Sequence, residues 1–139
     1  MAKKKREMAL EKNTIFEAQV TGYTTEGAGV VRTPEGIPVF VPGAAQGDTL
    51  RVRVVKSLKT YAFGRIEEIL SPSPDRVEED CPVSRQCGGC VFRHISYEAE
   101  QRAKEQRVRD ALTRIGGFAD LPVRPILGAA HPDRYRNKA

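Results

Sequence analysis

Residues 49–56 read Thr-Leu-Arg-Val-Arg-Val-Val-Lys, and this alternation leaves little choice of local structure. Leu50, Val52 and Val54 fall on one side of an extended chain and Arg51 and Arg53 on the other, the pattern of a half-buried strand. Four further β-rich stretches flank it, at residues 14–21, 27–32, 36–41 and 61–70. In the last, Phe63, Arg65 and Glu67 alternate with Gly64, Ile66 and Glu68. Turn chemistry bounds each stretch: Thr33-Pro34-Glu35-Gly36 separates the second from the third, Pro42-Gly43 breaks the chain, and Gly47-Asp48 opens the 49–56 strand. Pro38 weakens the third stretch as a central strand, because proline donates nothing to a ladder. Five short strands in fewer than 60 residues predict a mostly β protein built on a small closed barrel of the OB-fold type. An SH3-like barrel fits the pattern nearly as well. Aromatic residues make up 6% of the chain and Trp is absent, so the core falls to Val, Ile, Leu and Ala. A barrel of this size buries only about 60% of its unfolded surface and is of modest stability.

The remainder divides readily. Residues 1–13 form a charged lead containing Lys3, Lys4, Lys5 and Arg6, read as a basic flexible tail. Ser71-Pro72-Ser73-Pro74 ends the barrel assigned to residues 14–71, and residues 72–80 read as a linker. A cysteine-rich segment occupies residues 81–95. A helix follows within residues 96–139, with Ser96 as its N-cap and Glu98 favourably placed in its first turn. Val108, Ala111, Leu112 and Ile115 give it an apolar stripe, and Gly116-Gly117 supplies the stop. Its charges read first as i,i+4 pairs with the acid leading: Glu98–Arg102, Glu100–Lys104, Glu105–Arg109 and Asp110–Arg114. Lys104 also falls on the apolar stripe, which predicts a partner outside this chain. No stretch approaches the roughly 18 apolar residues of a membrane span, and no apolar segment follows the N-terminal charges, so a soluble, cytoplasmic protein is expected.

Net charge is +5, and it is uneven. Residues 1–12 and 81–139 are basic, residues 13–70 balance, and residues 71–80 are acidic. Basic ends point to a polyanionic partner, nucleic acid first. Lys56, Lys59 and Arg65 can contact phosphates, and Tyr61 and Phe63 can offer π-faces to bases. The competing reading makes Tyr61 and Phe63 core residues. It leaves Arg51 and Arg53 as a solvated strand face.

All three cysteines, Cys81, Cys87 and Cys90, lie within ten residues, as Cys81-x5-Cys87-Gly88-Gly89-Cys90. This crowding argues against a disulfide framework and for a metal or cluster in a reducing compartment. Thiolates suit zinc or iron–sulfur clusters, and the two glycines allow backbone N–H groups to turn toward an anionic cluster. A 4Fe–4S cluster normally takes four Cys, so its fourth ligand would lie outside the chain or one iron would be open. With His94, the three cysteines could instead form a Cys₃His zinc site. A histidine at the edge of a helix or strand is the plainer reading of His94.

The order Pro42-Gly43, Gly47-Asp48, Ser73-Pro74-Asp75-Arg76-Val77, Cys81-Pro82, Cys87-Gly88-Gly89-Cys90, Tyr97, Lys104, Ile115-Gly116-Gly117 and Tyr135-Arg136-Asn137-Lys138 resembles the N-terminal part of one bacterial family. These are the RNA (uracil-5-)methyltransferases with a TRAM domain and a 4Fe–4S cluster, of the 23S rRNA 5-methyluridine type. The resemblance spans roughly residues 13–139, and the cysteine motif is its most specific part. Glu100 and Gln101 depart from it, standing where such proteins often have Gln and Leu. The resemblance implies that the barrel holds RNA, with rRNA ahead of tRNA, and that Cys81, Cys87 and Cys90 ligate the cluster. It also implies a monomer that takes its methyl group from S-adenosylmethionine. The S-adenosylmethionine site, catalytic cysteine and general base of such enzymes lie further along, so no catalytic residue is assigned here. Two other functions compete: a stand-alone RNA-binding module, and a zinc-binding RNA adaptor using His94.

Overall fold

The computed structural model describes residues 10–87 and 89–135. The predicted tail residues 1–9, Gly88 and the Arg136-Asn137-Lys138 motif lie outside them. The chain forms two compact units, Met1–Ile95 and Ser96–Ala139.

The first unit is a single six-stranded sheet. Its strands are β1 (Ile15–Gln19), β2 (Gly22–Tyr23), β3 (Gly29–Arg32), β4 (Pro38–Val41), β5 (Thr49–Ser57) and β6 (Ala62–Ser71). They lie in the order β1-β5-β6-β4-β3-β2, antiparallel except for the parallel β4–β6 pair. The mostly β reading holds, but the expected five strands become six. The sixth is β2, just beyond the predicted first stretch of residues 14–21, and the chain turns between β1 and β2 at Val20-Thr21. There the Val20 N–H donates to the Asp48 carbonyl and the Thr21 N–H to the Val30 carbonyl, both at 2.9 Å. The chain thus changes partner within two residues, from β5 to β3, and the two ends of the sheet belong to one bent segment.

Pro38 does sit in an interior strand, between β3 and β6. It is tolerated because it is the first residue of β4, where a missing N–H costs least.

The core is aliphatic, as the composition required. Val20, Val31, Val39, Val41, Ala44, Leu50, Val52, Val54 and Ala62 form it, with Leu10, Phe16, Ala18 and Ile66 packed around. Each fully buried Val or Leu contributes about 1.5–3 kcal/mol relative to exposure. Gly64 lies among them for want of space: a Cβ there would sit 2.6 Å from Val52 Cγ1 and 3.0 Å from Val39 Cγ1.

The expected linker, residues 72–80, is tied to the sheet unit through Ser73 and Arg76. Buried Asp48 accepts from the Ser73 N–H at 2.7 Å and the Ala45 N–H at 2.9 Å, and pairs with Arg76. Ser73 Oγ donates to the Gln46 carbonyl at 2.6 Å, and the Arg76 guanidinium donates to the Gly43 carbonyl at 2.9 Å. Burial alone would raise the Asp48 carboxyl, but the Arg76 hydrogen bond, the two N–H donors and the Arg76 charge outweigh it and hold it below the ordinary carboxylate value.

In the second unit, Ser96 caps a helix as expected, its hydroxyl accepting from the Ala99 N–H at 3.2 Å. The helix spans Tyr97–Asp110, widens into a π-helical turn at Ala111–Ile115, and stops at Gly116-Gly117, with Gly117 at φ +72°. Lys104 pairs with Glu100 at 3.0 Å, inside its own helix. Glu105 accepts from the Ile126 N–H at 2.6 Å and Arg109 donates to the Val123 carbonyl at 3.4 Å, tying residues 123–126 along the helix.

Candidate nucleic-acid interface and cysteine segment

The outer face of the β4–β6 pair carries an aromatic cluster. Phe40 and Phe63 are partners in the parallel register, and Tyr61 immediately precedes β6. Ring centroids lie 5.4 Å apart for Phe40–Tyr61, 5.9 Å for Phe40–Phe63 and 5.6 Å for Tyr61–Phe63, at interplanar angles of 41°, 62° and 80°. Such tilted and edge-to-face contacts are the preferred packing of quadrupolar rings. None of the three rings belongs to the buried core; Phe63 is 37% exposed. Tyr61 and Phe40 are half-buried, and neither Tyr61 nor Phe63 is part of the core that the competing reading assigned them to. Phe40 is a third member that the sequence reading missed, because its place beside Phe63 depends on a pairing between distant strands.

A bulge places the first lysine. By strand alternation Lys56 would face inward with Leu50, Val52 and Val54. The β5–β6 register shifts between Val54 and Lys56, so Val54 opposes Gly64 and Lys56 opposes Phe63. Val55 is the extra residue, and both Val55 and Lys56 are exposed. Lys59 is exposed in the hairpin that follows, which is closed by the Leu58 N–H donating to the Tyr61 carbonyl at 2.8 Å. Among the described residues no carboxylate pairs with Lys56 or Lys59.

The arginines behave differently. Arg51 lies between Glu17 and Glu68, and Arg53 takes Glu67 through Nε at 3.1 Å and Nη2 at 2.7 Å. The Glu67 hydrogen bond raises the Arg53 guanidinium, and the same bond lowers the Glu67 carboxyl. Arg65 is more open: it opposes Arg53 across the ladder, stands 3.6 Å from Glu67 and is 63% exposed.

The cysteine segment is anchored by its downstream arm. Val91 fills the space over Gly27, where φ is +83° and a Cβ would fall 2.0 Å from Val91 Cγ1. Phe92 meets Tyr23 edge to face at 5.3 Å. Buried His94 donates from Nε2 to the Ala44 carbonyl at 2.9 Å, its backbone carbonyl accepts from the Val77 N–H, and Ile95 bridges to Arg76. Burial pushes the His94 imidazole below its ordinary value. With Nε2 holding the proton for Ala44, that nitrogen is closed to a metal, which weighs against His94 as a zinc ligand.

Upstream, Cys87 ends a one-turn helix, Ser84–Cys87, and Arg93 grips Asp80 through Nε at 2.6 Å and Nη2 at 3.0 Å. The three thiols are free; Cys87 and Cys90 are exposed and Cys81 is half-buried. Their chemistry suits a soft metal or cluster. At Gly89 a Cβ would come within 3.3 Å of Cys87 Sγ, so glycine keeps the space beside that sulfur open. Among the described residues, no group of three or more His, Cys, Asp or Glu is placed to hold a metal ion. Nor is any helix among them long and apolar enough to cross a membrane.

A small twisted sheet presenting clustered aromatic rings beside unpaired lysines has the makings of a nucleic-acid-binding surface. Residues 9–66 match the TRAM domain family, and the chain carries a TRAM domain. It is 44% identical over 135 residues to an uncharacterized RNA methyltransferase of Halalkalibacterium halodurans, covering 97% of this chain and 29% of that protein. An uncharacterized RNA methyltransferase of Bacillus cereus is 43% identical over 130 residues, 94% of this chain and 28% of that protein. Among solved structures, a tRNA (uracil-54, C5)-methyltransferase of Pyrococcus abyssi, in complex with S-adenosyl-L-homocysteine, gives a TM-score of 0.45 at 26% identity, over 73% of this chain and 21% of that one. The chain is thus a TRAM-domain relative of RNA methyltransferases, and it spans under a third of the length of the curated relatives it matches.

Proposed function

We propose that this chain is the RNA-holding and cluster-carrying part of an S-adenosylmethionine-dependent RNA (uracil-5-)methyltransferase that acts on rRNA. The observation that carries the RNA part is the Phe40–Tyr61–Phe63 cluster, with Phe63 exposed and Phe40 and Tyr61 half-buried, and with Lys56 and Lys59 at its border. The lysines supply charge to phosphates, and the rings supply stacking surface to bases. Arg65 adds a cation on the same outer face.

The methyltransferase part rests on the names of the relatives. In such a protein Cys81, Cys87 and Cys90 would hold a 4Fe–4S cluster, with a fourth ligand supplied from outside this chain. When bound, the cluster supplies a cross-link of the segment rather than redox chemistry, because methyl transfer to uracil is redox-neutral. This chain's own residues do the positioning: Val91, Phe92 and His94 hold the segment that leaves Cys90 against the sheet unit. No residue here is assigned to S-adenosylmethionine or to bond making.

Two measurements test the proposal. The full-length protein, incubated with labelled S-adenosylmethionine and rRNA, is expected to place label on uracil C5, and an absence of label on any RNA would overturn the methyltransferase reading. The full-length protein purified without oxygen is expected to be brown, with iron and sulfide in equal amounts. A colourless protein containing zinc would favour the adaptor instead.

A further inference from the structure

We infer that the Phe40–Tyr61–Phe63 face selects unpaired RNA and rejects duplex, with Phe40 contributing to the platform as much as Phe63. The inference rests on the RNA-binding reading above and specifies what part of an RNA that face takes.

No pair of the three rings stacks in parallel on another, since their planes meet at 41° to 80°. An edge-to-face contact covers a face of one partner only, so the cluster keeps part of its π-surface for a ligand. Such faces reward a ligand that brings free base planes. A duplex keeps its base planes stacked on one another and shows a protein mainly phosphates, 2′-hydroxyls and a shallow groove. An unpaired strand offers each base to a ring at about 1–3 kcal/mol, or about 5- to 150-fold in affinity per base.

The cations fit the same ligand. Lys56 opposes Phe63 directly, and Lys59 lies in the hairpin that leads into Tyr61. Arg65 follows Phe63 by two residues, about 7 Å along the strand. Charge thus runs beside the rings along one strand direction, as a single phosphate backbone requires. The neighbouring outward arginines, Arg51 and Arg53, are already engaged by Glu17, Glu67 and Glu68, which narrows the open basic strip to the ring border.

The test is equilibrium binding of the whole chain to an unstructured oligouridylate and to a blunt RNA duplex with the same number of phosphates. Phe40→Leu, Tyr61→Leu and Phe63→Leu keep apolar bulk and remove one ring each. Thermal unfolding reports on the sheet, and the three substitutions stand in for one another should one of them unfold. The expected result is at least about tenfold tighter binding of the single strand, and about a 5- to 150-fold loss for Phe40→Leu and for Phe63→Leu. The salt slope should stay unchanged in these variants, because the lysines and Arg65 still meet the phosphates. Equal affinity for duplex, or wild-type affinity in folded Phe40→Leu and Phe63→Leu proteins that keep the salt slope, would overturn the inference and leave the RNA reading intact. Loss of salt-dependent binding to both RNAs would sink both.

Discussion

Asp48 shows how one residue joins two parts of the chain. Its carboxylate accepts from Ala45, from Ser73 and from Arg76, so the loop before β5 and the segment after β6 share one buried charge. Replacing Asp48 with Asn leaves the Arg76 guanidinium, only 19% exposed, without its counter-charge. A loss of about 3 kcal/mol is expected, measurable by urea denaturation. The pH dependence follows from the direction of the shift. Asp48 is lower in the fold than in the unfolded chain, so its stabilisation is complete above the unfolded value of about 3.9 and drains away as pH falls toward the folded value. His94 is also lowered, so the unfolded chain takes up its proton first, and stability begins to fall as pH drops through about 6.5. Unfolding free energy measured between pH 8 and pH 3 should therefore decline in two steps. The upper step should vanish in His94→Gln and the lower one should shrink in Asp48→Asn, with Glu67 contributing the remainder; a single step in the wild type would contradict this.

At the scale of elements, the strands that one face dictates were legible and the irregularities were not. Leu50, Val52 and Val54 face inward as their alternation demanded, Ser96 caps its helix, and Gly116-Gly117 ends it. The bulge at Val55 was hidden, because alternation assumes an unbroken ladder and carries Lys56 inward. The turn from β1 into β2 was hidden too, since the Val20 and Thr21 N–H groups donate to carbonyls that only tertiary structure brings to them. Ser73 and Pro74 look like linker chemistry in isolation, yet Ser73 is buried by its bonds to Asp48 and Gln46. Of the candidate interface, Tyr61, Phe63, Lys56, Lys59 and Arg65 could be named in advance, whereas Phe40 could not. Gly64 offers a direct check of the packing: Gly64→Ala forces a methyl against Val52 and Val39 and should cost about 1–3 kcal/mol in the same denaturation assay. A neutral result would mean that the β4–β5–β6 core has slack.

At the scale of the molecule, the barrel and the cysteine segment form one compact unit ending at Ile95, joined through Val91, Phe92 and His94. Anything that binds the folded cysteines should then stabilise the barrel as well, by mass action. Stripping iron from anaerobically prepared protein is expected to lower the unfolding midpoint reported by the barrel, not only by the segment; unchanged barrel unfolding would show that the two are uncoupled. The central claim remains that the ring-and-lysine face holds RNA. Its most direct measurement is the affinity for oligouridylate across a salt titration, in the wild type and in a Lys56→Ala, Lys59→Ala double variant. The account predicts that log affinity falls linearly with log salt, and that the double variant flattens the slope by about 1.4, or about 0.7 for each phosphate of a single strand that is no longer neutralised. Affinity that ignores salt, or a slope identical in the two proteins, would contradict it.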